Sequence, residues 1–484
     1  MNENFISQPL ALTTLILTGL VFAYLSLKQL KSKISLNNYL VSDRSEGTLS
    51  LTFSLTASAL GAWILFSPAS AATWGGIGTV IGYALGAACP LILIYFFGPR
   101  LRKEMPNGVT LTQFIKKKFG DSFFKFSLKL IIFYLVIFLC AEVTAIALLL
   151  NFLAGLPLWL TSIITLTICL SYVLKGGLKL SILTDKYQFV VFILIFLICY
   201  LIAGLNNLNS FSLEFIGNQS PQLLSSNYLP NYFGAITFFV AVAATNLFHQ
   251  GNWQRVYAAK NVNILKRSLV YSALIIFPIV FLMGFSGLVS VSIDSTTNPD
   301  LSFFKLFISS ENKILSVLVI VFALSLTLST IDTLINAVSS LIVVDGKTIL
   351  KQKSDKLLKI SKYVILIISF VVFIVSSKGL SILYLFLLAD LLCCCAVVPI
   401  FSAFFRKKIN YKISLTSLII SLLIGLSLFP SPDFSKSILT HFILNPENFD
   451  PIVLNNLLFF SFMIGLMSAF ITNNVIPYVF RLNK

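Results

Sequence analysis

The apolar residues of this chain come in blocks long enough to cross a membrane. Thirteen are evident, in Leu10 to Leu27, Leu51 to Ala72, Thr79 to Phe97, Phe124 to Leu153, Leu156 to Leu174, Tyr187 to Leu205, Tyr232 to Phe248, Leu269 to Val291, Leu315 to Val344, Tyr363 to Ser376, Leu380 to Phe404, Ile413 to Phe429 and Val453 to Phe480. A helix needs about 20 apolar residues to span the hydrocarbon core. The pattern therefore predicts an all-α polytopic membrane protein of thirteen transmembrane helices.

Composition agrees: the 484 residues are 57% hydrophobic and 11% charged, where soluble domains carry about 25% charged residues. Thirteen spans use roughly 260 positions, and the remaining loops are too short for a soluble catalytic, kinase or nucleic-acid domain. The net charge of +17 would suggest an acidic partner in a soluble protein, but its distribution says otherwise. With the N-terminus outside, 31 of the 35 basic residues fall in alternate loops on one side, leaving Lys305, Lys313, Lys378 and Lys436 on the other. Basic residues favour the cytoplasmic face, so the N-terminus is expected outside and the C-terminus inside, in the plasma or inner membrane of the cell. The first block is preceded by no basic residue and followed by basic ones, so it reads as a retained helix rather than a signal peptide.

All seven cysteines lie inside spans, at neither disulfide nor metal spacing; the triplet Cys393, Cys394 and Cys395 reads as soft packing residues. Gly78, Gly82 and Gly86 recur at four-residue spacing, a pattern that lets helix backbones approach closely in lipid. Ionisable groups inside a membrane are functional candidates by default. The acidic residues in or at the edge of spans are few, Glu142, Asp185, Asp332 and Asp390, with His249 at the inner end of the seventh span. The chain has neither repeated span arginines nor a TVGYG-like filter, which argues against a voltage sensor and a channel of that kind.

Two spans carry interruptions. The second holds Thr56-Ala-Ser-Ala-Leu-Gly61 followed by Ser67-Pro68, and the seventh ends in Thr245-Asn-Leu-Phe-His-Gln-Gly-Asn252. Unwound backbone at membrane depth is tolerated only where protein buries it or a cavity borders it, and broken helices in corresponding halves point to an inverted-repeat transporter. The expected layout is an extra N-terminal helix and basic loop in 1–49, a first repeat in 50–206, a second in 207–405 and two further helices in 406–484, all in one transporter domain.

Four stretches resemble the sodium/solute symporter family, which includes the bacterial sodium/proline and sodium/galactose symporters: Asn38-Tyr-Leu-Val-Ser-Asp-Arg44, Ser58-Ala-Leu-Gly-Ala-Trp63, Gly176 to Asp185 with Gln188, and Leu328 to Asp345. The resemblance runs in order over nearly the whole chain and implies a LeuT-like 5+5 inverted-repeat core with sodium-driven uptake of a small solute. It implies a main sodium site from the carbonyls of Ala57, Leu60 and Leu326 with the hydroxyls of Ser329 and Thr330, and oxygen ligands suit a hard cation. The alternative for both hydroxyls is a bond to their own i−4 carbonyl. Where the proline-transporting branch has an acidic residue, this chain has Ala59.

Some family members use the positions of Asp185, Asp332 and Thr333 as a second sodium site. Asp185 could instead pair with Lys186 or a nearby lysine, and Asp332 could take a proton. By similarity to the proline branch, Val242, Asn246 and Gln250 face the solute, an amide-rich set suited to hydrogen-bonding solutes such as urea; the stretch Phe248 to Arg255 also resembles the urea-transporting branch weakly. The resemblance assigns no role to Glu142 or Asp390. Both fall near mid-membrane, as cavity groups or as counterparts of buried polar groups, and His249 reads as a helix-end hydrogen-bonder.

The expected function is a secondary active symporter working by alternating access on a small polar solute, with an amino acid such as proline, or urea, as candidates. Sodium is the coupling ion and the bilayer the surroundings, and no organic cofactor, nucleic acid or obligate protein partner is indicated. A proton-coupled symporter and a passive solute channel are the alternatives. An enzyme is not expected, because His249 and His441 have no carboxylate cluster around them at metal-ligand spacing and no nucleophile–base pair stands out.

Overall fold

A computed structural model describes residues 5–28, 35–206, 209–308, 313–406, 409–443 and 450–479. Glu3 and the basic residues Lys31, Lys33, Lys407, Lys408, Arg481 and Lys484 lie outside the described residues. The architecture is all-helical, and among the described residues eleven helices are long and apolar enough to cross a membrane. The principal helices are α1 (Gln8–Leu27), α2 (Thr48–Ala59), α3 (Ser67–Glu104), α4 (Asp121–Ala154), α5 (Leu158–Asn206), α6 (Leu229–Phe248), α7 (Gln250–Ala258), α8 (Val262–Ile293), α9 (Lys313–Leu350), α10 (Ser354–Ser376), α11 (Ile382–Phe401), α12 (Tyr411–Leu428) and α13 (Leu457–Phe470).

Thirteen apolar blocks become eleven long helices because two of those helices turn back on themselves. A straight α3 of 38 residues would be about 57 Å long and a straight α5 of 49 residues about 74 Å, beyond the ~40–45 Å of a whole bilayer. Each contains a glycine with positive φ, Gly76 (φ 66°, ψ −166°) and Gly177 (φ 55°, ψ −144°), in a region that side chains with a Cβ avoid. The contacts show that the chain reverses there. Ala69 and Val80 both meet one turn of α8, at Gly287 and Gly284, although a straight helix would separate them by ~16 Å. Likewise Tyr172 and Thr184 both donate to the same oxygen of Asp332, at 3.0 and 3.2 Å.

The second apolar block is split. α2 ends at Ala59, a short turn covers Ala62–Leu65, and α3 begins at Ser67 with Pro68 in its first turn, where a missing N–H costs nothing. The glycine ladder then sets how closely two helices approach. A Cβ on Gly78 or Gly82 would overlap the Asn231 or Ala235 carbonyl of α6, and one on Gly86 would stand 2.8 Å from that of Phe238. The cysteine triplet is buried, and the Cys395 thiol donates to the Ser421 carbonyl at 3.3 Å. A Cβ added to either Gly425 or Gly465 would meet that sulfur, so Cys395 wedges α11 between α12 and α13.

Candidate functional site

The two interruptions are real breaks, and each is repaired by side chains. At the first, the Leu60 amide still closes on the Thr56 carbonyl at 3.1 Å, but the Ala62 amide donates to Oε2 of Glu142 at 2.8 Å. The Trp63 indole N–H takes the Ala59 carbonyl at 3.1 Å. Glu142, fully buried on α4, thus caps the restart of the helix, where partial positive charge gathers. Its Oε1 has no hydrogen-bond partner. At the second break, His249 takes extended backbone (φ −60°, ψ 106°) between α6 and α7. The Asn252 side-chain amide and Trp253 indole replace the lost helical bonds, donating to the Asn246 and Leu247 carbonyls at 2.9 and 2.8 Å. Both ring nitrogens of His249 are buried without a partner, and the ring lies 6.1 Å from that of Phe138.

Beside the breaks, α2, α5, α7 and α9 meet in a buried polar cluster. Asp185 forms an ion pair with Arg255 at 2.8 Å, both side chains fully buried. Asp185 also accepts from Ser54 at 2.5 Å and from Ser329 at 2.6 Å. The guanidinium continues to Ser54 at 2.7 Å, Thr333 at 2.9 Å and the Gly251 carbonyl at 3.1 Å. Next to it, Asp332 accepts from Ser181 at 2.5 Å, Tyr172 at 3.0 Å and Thr184 at 3.2 Å.

The residues singled out in the sequence divide accordingly. Ser329, Asp185, Thr333 and Asp332 come together. Thr330 bonds the Leu326 carbonyl at 3.2 Å, and Ala57, Leu60 and Leu326 are all buried. Asp185 pairs with Arg255 rather than with a lysine, so an arginine that the loop pattern assigns to the inner surface is in the core. Of the solute-facing trio, Asn246 bonds the Val242 carbonyl of its own helix at 3.1 Å. Gln250 holds the Val109 carbonyl at 3.2 Å, the Leu111 amide at 3.1 Å and Ser340 at 3.4 Å, which ties the second break to the segment before the helix Leu111–Phe119.

Asp390 on α11, 5% exposed, accepts from Thr245 at 2.6 Å. Sequence reading missed Ser54, Tyr172, Ser181 and Thr184. Two of these carry a visible signal: Ser181 and Thr184 recur with Asp185 and Gln188 at the i, i+3, i+4 and i+7 spacing of one helix face. Ser54 and Tyr172 reach the cluster only through tertiary packing.

Residues 39–421 match the sodium:solute symporter family. The chain is 27% identical over 329 residues to a spermidine transporter of Candida albicans, covering 67% of this chain and 61% of that protein. It is 28% identical over 359 residues to the sodium-coupled monocarboxylate transporter 2 of Mus musculus, covering 68% and 56%, so the match takes in 61% and 56% of the length of these curated relatives. In fold it is similar to a sodium-coupled sialic acid symporter in a substrate-bound outward-open state, with a TM-score of 0.73, 16% identity, and 97% and 98% of the two chains covered. It is also similar to a nucleobase-cation-symport-1 family transporter in a closed conformation, with a TM-score of 0.54, 15% identity, and 93% and 97% covered. These neighbours share the LeuT-like transporter fold. The chain belongs to the sodium:solute symporter family.

Proposed function

We propose that the protein is a secondary active symporter coupling the inward sodium gradient to uptake of a small polar organic solute across the cell membrane by alternating access. The observation that carries this is the pairing of two side-chain-capped helix breaks with one buried polar cluster joining α2, α5, α7 and α9. The chain then crosses the membrane thirteen times, with its N-terminus outside and C-terminus inside. The reversals at Gly76 and Gly177 support this count, since they divide two of the eleven long helices, while the split second block adds its first half to α3.

Sodium binds the Ala57, Leu60 and Leu326 carbonyls and the Ser329 and Thr330 hydroxyls. The end of α2 releases its last carbonyls from the helical ladder, and the diversion of the Ala62 amide to Glu142 keeps that ladder from closing again. Ser329 gives its proton to Asp185 and Thr330 to the Leu326 carbonyl, which leaves hydroxyl lone pairs for a cation. At the second set of positions, the Arg255 guanidinium already supplies a positive charge to Asp185 and Thr333, so one sodium per cycle is the reading the geometry favours. Outside sodium completes the break in α2, the solute binds beside it, and closure delivers both to the inside; the membrane potential adds about 2.3 kcal/mol per charge per 100 mV.

Proton coupling is a second reading, supported by Asp332, a fully buried carboxylate that takes part in none of the ion pairs among the described residues, since burial without a counter-charge favours the protonated form. The two curated relatives are named for solutes of opposite charge, spermidine and a monocarboxylate, so the choice of solute falls to this chain's own side chains. Proteoliposomes test the reading. Accumulation should follow an inward sodium jump, and Ser329→Ala with Thr330→Ala should raise the sodium concentration for half-maximal uptake. Accumulation driven equally well by a proton gradient without sodium would favour the second reading, and uptake that only equilibrates would indicate a channel.

A further inference from the structure

We propose that a groove beyond the C-terminal ends of α11 and α13 binds an anionic phospholipid, with Arg406 holding the headgroup phosphate and the apolar walls covering an acyl chain. The inference is independent of the solute and of the coupling ion. The groove has a volume of about 500 Å³ and runs from Val397 and Val398 on α11 past Phe405 to Arg406, with Phe470 and Asn474 on the facing wall. Phe405 is 72% exposed and Phe470 47%, so the groove opens on the side of the bundle that lipid would cover. Its body is apolar, and its polar groups gather at the Arg406 end.

That end is built rather than incidental. A π-helical turn, Ile471–Val475, follows α13, and the Ile476 amide reaches back five residues to the Ile471 carbonyl. Such wide turns collect at functional sites. Here the Asn473 carbonyl accepts from the Arg406 guanidinium at 3.1 Å, and the Asn474 side-chain oxygen accepts from it at 2.6 Å. Asn473 is fully buried; its side chain accepts from Ser414 at 3.0 Å and donates to Ser402 at 3.3 Å and to Asn474 at 3.1 Å. The guanidinium is thus oriented by neutral oxygens, and it takes part in none of the five ion pairs among the described residues. A guanidinium has about five N–H donors, so beyond these two bonds it keeps donors for a phosphate, which it can grip at two points.

The surrounding charge selects the headgroup. Residues 391–432 and 451–484 contain no acidic residue, whereas Arg406, Lys407, Lys408 and Lys412 fall within one short stretch between α11 and α12. Basic clusters beside membrane helices attract anionic headgroups. A zwitterionic lipid brings an ammonium for which these segments hold no carboxylate. A free phosphate would use the guanidinium and leave the apolar groove uncovered.

The test uses the full-length protein, stripped of lipid in detergent, with its melting temperature followed as lipid is added. Phosphatidylglycerol should raise it saturably at a concentration roughly tenfold below that needed of phosphatidylcholine with the same chains, the worth of one charge-assisted contact. Glycerol phosphate and inorganic phosphate at the same concentration should have no effect. Arg406→Gln should abolish the preference between the two lipids, and Arg406→Lys should keep part of it, since the charge stays while the fork is lost. Val398→Trp should fill the groove and weaken both lipids while leaving Arg406 in place, which serves as the deciding variant if Arg406→Gln does not fold. Equal response of the wild type to the two lipids would overturn the headgroup assignment, as would a preference unchanged in Arg406→Gln. Glycerol phosphate acting as strongly as the lipid would make the site one for a free anion. Phosphatidylglycerol binding unaltered in Val398→Trp would overturn the groove.

Discussion

Arg255→Gln should be among the most damaging single substitutions in this protein, and Asp185→Asn should rescue part of the loss. The pair is fully buried with 2.8 Å between charged atoms. At an effective dielectric of about 20, the gross attraction is ~6 kcal/mol, set against several kcal/mol of desolvation for each ion. The intact pair is therefore worth little net, but Arg255→Gln leaves the Asp185 carboxylate held by Ser54 and Ser329 alone, an uncompensated buried charge costing about 3–5 kcal/mol. Asp185→Asn should cost a similar amount by stranding the guanidinium. The double variant places two neutral amides opposite each other, and its loss should fall short of the sum of the singles by at least ~2 kcal/mol, within the range for residues in contact. Equilibrium unfolding in mixed micelles of the wild type and three variants completes the cycle. Additive losses would refute the argument, because they would mean that neither charge depends on the other.

Three further outcomes follow, two from packing and one from the segment before α2. Gly82→Val should destabilise by about 1–3 kcal/mol through overpacking, since its Cβ would overlap the Ala235 backbone. Gly204→Ala, with nothing within 4 Å of its Cβ, should leave the melting temperature unchanged or slightly raised. Glu46 precedes α2; burial raises its carboxyl pKa, but hydrogen bonds from Ser42, Ser50 and Lys179 outweigh burial and hold it below the ordinary value of 4.5. Its folded-state pKa being depressed, its stabilisation is present above the unfolded value and is lost as pH falls through the folded one. Melting curves from pH 7 to pH 3 should show Glu46→Gln losing part of the wild type's acid sensitivity, and parallel curves would contradict the assignment.

The class of protein and the places where its helices fail were legible along the chain. Apolar blocks of fixed length have one solution in lipid, and the residues that break a helix, such as Pro68 and the polar run around His249, act on their own neighbours. The Gly78, Gly82 and Gly86 ladder was legible for the same reason, since absence of a side chain is a local property. Which polar groups meet was settled in three dimensions. Arg255 carries the same charge as the loop arginines near it, and nothing within ten residues announces that it is buried against Asp185. Ser54 and Tyr172 lie on different helices, and only packing brings them to Asp185 and Asp332. Gln250 is a like case: the family resemblance places it facing the solute, and packing adds bonds from its amide to the Val109 carbonyl and the Leu111 amide, because the second break abuts the loop before the helix Leu111–Phe119. Length, periodicity and breakers act along the chain and can be read from it. Charge pairing in a low-dielectric core depends on groups distant in sequence, so which of them meet is set by the packing of the helices.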